Sequence, residues 1–223
     1  MQKVFCVLFL MLSLRGLSQT KYQIFVDSLG AAMSDYINAH MNDFDSASFV
    51  HYFTQTTKQL EGPEYTISKE QLQTLPVLLL IRMIHHSSLI AQYLIKNVPK
   101  SKYWTYSTEM PPASISQEDC ASFWTHNKFL YHDSDSTVVH LTLDKNNWLD
   151  SMSDNTYSRL SVERLNDQTF QSTFIESNNK AKSLLSMPGD IYCYQVLEKT
   201  DHSYKLSTHM KGVASYYTFE LEY

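Results

Sequence analysis

Residues 190–223 constrain the fold more than any other stretch of the chain. After Asp190 they read IYCYQVLEK, a break at Thr200-Asp201-His202, SYKLSTHM, a break at Lys211-Gly212, and VASYYTFELEY. In the second run Tyr204, Leu206, Thr208 and Met210 alternate with Lys205, Ser207 and His209. In the third, Val213, Tyr217, Phe219 and Leu221 share one parity. An antiparallel strand with one dry and one wet face requires this alternation, because successive side chains point to opposite sides. A two-residue connection at Lys211-Gly212 places Met210 opposite Val213, Thr208 opposite Ser215, Leu206 opposite Tyr217 and Tyr204 opposite Phe219. Gly212 then takes the positive φ of a tight hairpin.

The period of two runs back to His132. Val139, Leu141 and Leu143 alternate with Val138, His140 and Thr142. Residues 157–165 and 169–176 form the next pair. A three-residue loop, Asn166-Asp167-Gln168, sets Arg164 opposite Phe170 and Leu160 opposite Phe174, whereas a two-residue loop would oppose Phe170 with Glu163. Residues 177–186 are a polar excursion with a helical turn near Ala181, and Pro188-Gly189 is a tight turn. Residues 132–223 therefore read as a six-stranded antiparallel meander that can curl into a half-barrel, which by analogy resembles a calycin.

Upstream the period changes. In residues 21–41, Tyr22, Phe25, Val26, Leu29, Met33, Tyr36 and Ile37 fall on one broad helical face. Residues 42–48 form a break, and residues 49–60 fit a helix or a strand until Glu61-Gly62-Pro63 ends them. Ser68, followed by Lys69, Glu70 and Gln71, resembles an N-cap with a favourable first turn ahead of the most apolar segment, residues 75–95, which Pro99 stops. Arg82, His85, His86, Ser87, Ser88 and Gln92 interrupt that segment. A central arginine is expensive in hydrocarbon, so the segment reads as a buried helix and the mature chain has no transmembrane segment. Residues 100–112 are aromatic and irregular. Ser116, with Asp119 three residues on, starts a short helix carrying Cys120, Phe123 and Trp124. The expected fold class is α+β. A mainly helical part (19–131) packs its 75–95 helix against the β part (132–223), as two domains or as one continuous domain.

Residues 1–18 have the layout of a secretory signal peptide. Lys3 opens it, residues 4–12 are apolar, and Gly16 and Ser18 precede Gln19. The apolar run is shorter than a membrane span needs. Cys6 lies inside that run, away from the cleavage point, which argues against a lipid anchor there. The expected location is secreted or periplasmic. Without Lys3 and Arg15 the 18 basic residues fall to 16 against 23 acidic ones, a mature charge of −7. No basic cluster exists, so nucleic acid and acidic membrane surfaces are poor partners. Cys120 and Cys193 remain, and two readings stand for them: one bridge, or two buried thiols.

Motifs for chemistry are scarce. His85 and His86 are about 100° apart on a helix and cannot both face one metal. No His-x-x-x-His spacing exists among the nine histidines, so no metal site is expected. With five glycines, nucleophile elbows, phosphate loops and dinucleotide fingerprints are missing, and no cofactor or catalytic residue is assigned. The stronger signal is aromatic: fifteen tyrosines and three tryptophans. Tyr192 and Tyr194 share one strand face, and with Tyr204 they form a candidate platform for an apolar or glycan ligand. Against this, tyrosine also suits half-buried strand positions as packing alone. Arg164, on the apolar parity of its hairpin, either stacks on Phe170 or anchors an anionic ligand inside the sheet.

From Cys120 onward the chain resembles small secreted bacterial β-sheet domains with a lipocalin-like meander. Cys120, Phe123, Lys128, Phe129 and Tyr131 carry the start of the pattern. Arg164, Asn166-Asp167, Gln168 and Phe170 occupy its hairpin, with Arg164 in place of a tryptophan and Gln168 in place of a cysteine. The resemblance covers under half of the chain. It implies a meander and a secreted location, carries no activity, and leaves Cys193 as the partner for any bridge from Cys120.

The expected function is a non-catalytic binding or interaction module of the cell envelope, for an apolar or glycan ligand or an envelope protein. An alternative is a hydrolase with its site between the helical part and the sheet, which requires several of His126, His132, His140, Asp144, Glu163 and Glu176 to converge. A third reading is a structural envelope protein with no pocket.

Overall fold

A computed structural model describes residues 19–43, 45–60, 67–97 and 101–223. The signal-like segment (residues 1–18), the Glu61-Gly62-Pro63 break and the stop at Pro99 lie outside the described residues. The helical part contains α1 (Lys21–Ala39), α2 (Ser46–Leu60), α3 (Lys69–His86) and α4 (Ser88–Asn97). Thr20 and Ser68 each open a helix through a reciprocal capping box with a glutamine three residues on, Gln23 and Gln71. The stretch that fitted either a helix or a strand is helical: α2 stacks Tyr52 on Tyr36 of α1 at 4.6 Å.

The apolar segment 75–95 is not one helix. It breaks at Ser87, and α3 and α4 meet at 113°. Ser87 is extended (φ −137°, ψ 115°). Its hydroxyl donates to Asn38 Oδ1 at 2.7 Å and accepts from the Ile90 N–H at 3.2 Å. The serine thus caps α4, and ending α3 there turns α4 away from α1. Among the described residues, no single helix is long and apolar enough to cross a membrane.

The β part is an eight-stranded antiparallel barrel. It comprises β2 (Lys128–His132), β3 (Val138–Leu143), β4 (Asn147–Met152), β5 (Tyr157–Arg164), β6 (Thr169–Ser177), β7 (Ile191–Lys199), β8 (Ser203–Met210) and β9 (Tyr216–Glu222). Each strand pairs with the next, and Leu130 opposite Glu222 closes β9 onto β2. A short β1 (Thr105–Ser107) pairs with the other end of β9. The expected six-stranded meander is therefore two strands short, lacking β2 and β4. Two helices accompany the barrel: α5 (Gln117–Phe123), capped by Ser116, and α6 (Lys180–Leu185).

The β5–β6 register is as expected, with Arg164 opposite Phe170 and Leu160 opposite Phe174. The final hairpin differs by two residues. Thr208 faces Tyr217, Leu206 faces Phe219 and Tyr204 faces Leu221. A slip of two preserves which side chains face inward, so the parity pattern cannot detect it. The cause is tertiary. The chain turns at Gly212 (φ 87°), then Ala214 leaves the sheet. Its N–H bonds Ser88 Oγ and its carbonyl bonds Gln92 Nε2, both at 2.8 Å. Helix α4 claims the backbone that a tight hairpin would have used.

One end of the barrel is solid. Phe123 of α5 plugs it, stacking on Phe129 and meeting Tyr204 edge-on. Tyr204, Leu206, Leu221 and Phe170 are fully buried there. Cys120 lies on this plug, while Cys193 points away from the interior between Tyr192 and Tyr194. The two thiols are free, so the Cys120–Cys193 bridge is not formed. Arg164 also departs from expectation. It sits outside this end, its guanidinium 4.8 Å from the Trp124 ring and ion-paired with Asp167, instead of stacking on Phe170 or reaching inside.

The helical part docks on the opposite end. Arg82 (α3) forks onto Asp190, just before β7, through Nη1–Oδ2 (2.7 Å) and Nη2–Oδ1 (2.9 Å), while its Nε holds Asp27 of α1 at 2.6 Å. Gly30 of α1 lies directly against Arg82, so any Cβ there would overlap the Arg82 Cβ. Gly30→Ala should gain about 1 kcal/mol in helix propensity. It should lose about 1–3 kcal/mol to overpacking. The expected net effect in urea unfolding is destabilisation.

Candidate functional site

Between the solid end of the barrel and the docked helices lies a cavity of about 330 Å³. Strand parity determines what lines it. On β4 the lining residues are Trp148 and Asp150; on β5, Ser158 and Leu160; on β7, Tyr192 and Tyr194; on β8, Thr208 and Met210. Tyr131 of β2 and Tyr217 and Phe219 of β9 complete the wall, and Trp104 packs over Phe219 with ring centroids 4.4 Å apart. The ceiling is helical, formed by Ile84 and His85 of α3, Ala91 of α4, Lys182 and Leu185 of α6, and Ser186, which caps the end of α6.

The aromatic rings hold one another in place. Tyr194 stacks on Phe170 at 4.8 Å and on Trp148 at 5.1 Å. Burial pushes the Tyr192 and Tyr194 hydroxyls well above the ordinary phenol range, so both remain neutral. Tyr192 bonds Ser186 at the end of α6, tying wall to ceiling. The Ser215 hydroxyl is buried in the lining without a hydrogen-bond partner, a group a ligand or water could satisfy.

Two titratable groups dominate the electrostatics. Asp150 is 5% exposed. It accepts from Trp148 Nε1 at 2.8 Å and lies against the Tyr131 hydroxyl. Burial is the largest influence on its carboxyl and drives it up to about 6, against the opposing pull of Lys182 and the two hydrogen bonds. His85 is the converse case. Burial, then the Arg82 charge, push its imidazole down to about 4. Arg82 Nη1 lies 2.9 Å from His85 Nδ1 and can only donate. His85 is therefore the neutral tautomer with its proton on Nε2, and its 3.6 Å approach to Asp190 is not an ion pair at neutral pH.

The candidate residues divide sharply. Tyr192 and Tyr194 line the cavity. Tyr204 lies at the solid end and bonds Ser122, and Arg164 is outside that end altogether. The hydrolase reading needs at least three of its six candidates in one cleft, and they do not converge. His126 packs on Tyr223 at the solid end and His132 stacks on Tyr103. His140, Asp144 and Glu163 are exposed. Glu176 is turned outward by the bulge at Ile175 and pairs with Arg159 at 3.0 Å. Among the described residues, no group of three or more His, Cys, Asp or Glu side chains is placed to hold a metal ion. The sequence reading missed Asp150, Tyr131, Trp104 and Trp148. The available clue for Asp150 was a charged residue at a position whose strand neighbours require an inward side chain.

The two titrations oppose each other. A carboxyl raised in the folded state favours folding most below its unfolded pKa and loses that contribution as pH rises. A histidine lowered in the folded state stabilises above its unfolded pKa and loses that contribution as pH falls. Asp150 therefore costs stability increasingly as pH rises from the ordinary carboxyl range to about 6 and fully above it, and His85 removes stability as pH falls from the ordinary imidazole range to about 4. Asp150→Asn should raise the melting temperature at neutral pH. That gain should shrink as pH falls through about 6, exposing the His85 acid limb in thermal melts across pH. Comparison with protein-family models, with curated proteins and with solved structures finds no match.

Proposed function

We propose that this is an exported, non-catalytic binding protein whose barrel holds a small, largely apolar ligand beneath the helical cap. The observation that carries the reading is the cavity itself: about 330 Å³, walled by aromatic rings, with a few inward polar groups. Binding sites are commonly built this way, with apolar walls supplying affinity and sparse polar atoms setting orientation. A barrel whose only task was stability would be filled along its length, because empty core volume is destabilising. Here the half nearest α5 is filled with Phe123, Phe170, Tyr204 and Leu206, while the half under α3 and α4 is not.

The export part of the proposal rests on the N-terminal pattern of Lys3, the apolar residues 4–12, and Gly16 and Ser18. The periplasm or the cell exterior is the compartment it implies. Burial raises the Cys120 and Cys193 thiols above their ordinary range, which lowers the thiolate fraction of each.

The neutral fluorophore N-phenyl-1-naphthylamine tests the binding reading. It should bind the mature protein saturably, one per chain, with enhanced emission. Thr208→Phe places a ring in the cavity and should weaken that binding by about tenfold or more, consistent with the loss of one well-packed apolar contact region. Tyr204→Phe, at the solid end, should leave it unchanged. Absence of saturable binding, or equal binding by Thr208→Phe, contradicts the proposal.

A further inference from the structure

The chemistry of the cavity wall narrows the ligand class. Asp150 is a buried carboxylate whose nearest donors are both neutral, Trp148 Nε1 and the Tyr131 hydroxyl. None of the ion pairs among the described residues includes it. The nearest cation, Lys182, is engaged elsewhere, with its Nζ 2.5 Å from Asp133. Of the charged groups lining the cavity, Asp133 and Lys182 cancel. Arg82 satisfies Asp190 behind the ceiling, and burial keeps His85 and His209 neutral. One uncompensated negative charge is left, and it is held inside a wall of indole and phenol rings.

Each of these features favours the same partner. An isolated buried carboxylate is costly and is relieved by an opposite charge. Aromatic faces carry negative potential and attract cations, most strongly where water is excluded. An anionic ligand would meet Asp150 without a free cation to balance it, and a neutral one would leave Asp150 unpaired.

We propose that the cavity selects a small organic cation, an amine or ammonium group carried on an apolar body, with Asp150 as its counter-ion and the surrounding rings as its cage. This rests on the barrel being a binding cavity, and the test separates the two claims. It uses calorimetric titration of the mature protein with three compounds of similar shape: phenethylamine, 2-phenylethanol and 3-phenylpropionate.

Phenethylamine should bind about tenfold or more tightly than 2-phenylethanol, the scale of a desolvated cation–π and charge contact. 3-Phenylpropionate should bind weakest. Asp150→Asn should remove the preference for the amine, read as the ratio of the amine and alcohol affinities within the one variant. A second measurement needs no variant. The amine keeps its charge throughout the acid range, so its affinity for the wild-type protein should fall as pH drops through about 6, where Asp150 takes a proton. Tyr131 and Tyr194 on the facing strands stay neutral there, and His85, lowered to about 4, is still uncharged at the start of that fall, while burial also lowers His209 from its ordinary range.

Equal affinity for amine and alcohol, preference for the acid, or a flat pH profile overturns the cation assignment and leaves the binding reading standing if the neutral fluorophore still binds. Failure of every compound, the fluorophore included, overturns both.

Discussion

The fork from Arg82 to Asp190 and Asp27 sets the relation between the two halves of this protein. Arg82 is 4% exposed, so its charge has left water and must be matched by the protein. Asp190 supplies two hydrogen bonds and Asp27 a third. Asp190 is fixed in turn by the Met187 N–H at 2.7 Å. Buried pairs of this kind add little net stability against an apolar replacement, yet losing one partner leaves a stranded charge and costs about 3–5 kcal/mol. Their effect is positional. A greasy contact tolerates sliding, whereas a two-pronged guanidinium–carboxylate contact accepts one orientation. The helical cap is thereby set over the barrel mouth, with Gly30 allowing α1 close enough to reach Arg82 through Asp27.

From that seating the cavity follows. His85 lies one turn beyond Arg82 on α3 and is held in the ceiling by Arg82 Nη1. The Ser87 break sends α4 across the mouth, where Ser88 and Gln92 capture Ala214 of the β8–β9 connection. Below, the barrel closes on itself and leaves no long unpaired edge. Large side chains pack the end under α5, and Ser158, Thr208 and Asp150 occupy inward positions nearer the helices. Small and polar residues facing a barrel interior forgo the packing that stability alone would favour. Departures of that kind tend to mark where a fold serves something other than its own stability.

The legible parts of the sequence were those where one local rule dominated. The helix start at Ser68, period-two strands from Val138 on, and the three-residue loop at Asn166 follow from neighbouring residues alone. Strand β4 was not legible, because Asp150 sits on the inward parity while Leu149 faces out, so the apolar alternation fails at the residue that distinguishes the cavity. The final hairpin slipped by two because Ala214 bonds a helix more than 120 residues earlier, at Ser88. The α3–α4 bend depends on Asn38 accepting from Ser87 across the helix pair. Tyr192 and Tyr194 could be guessed as a facing pair. Tyr204 has the same pattern yet belongs to the solid end, and period two says nothing about which end of a barrel is filled.

The account depends on the Arg82–Asp190 contact joining cap to barrel and so maintaining the cavity. The most direct measurement is a double-mutant cycle of Arg82→Met and Asp190→Asn, read by urea unfolding together with N-phenyl-1-naphthylamine affinity. A coupling of about 1–3 kcal/mol in stability is expected, with fluorophore binding weakened in both single variants. Additive effects on stability, with binding unchanged in every variant, would contradict it.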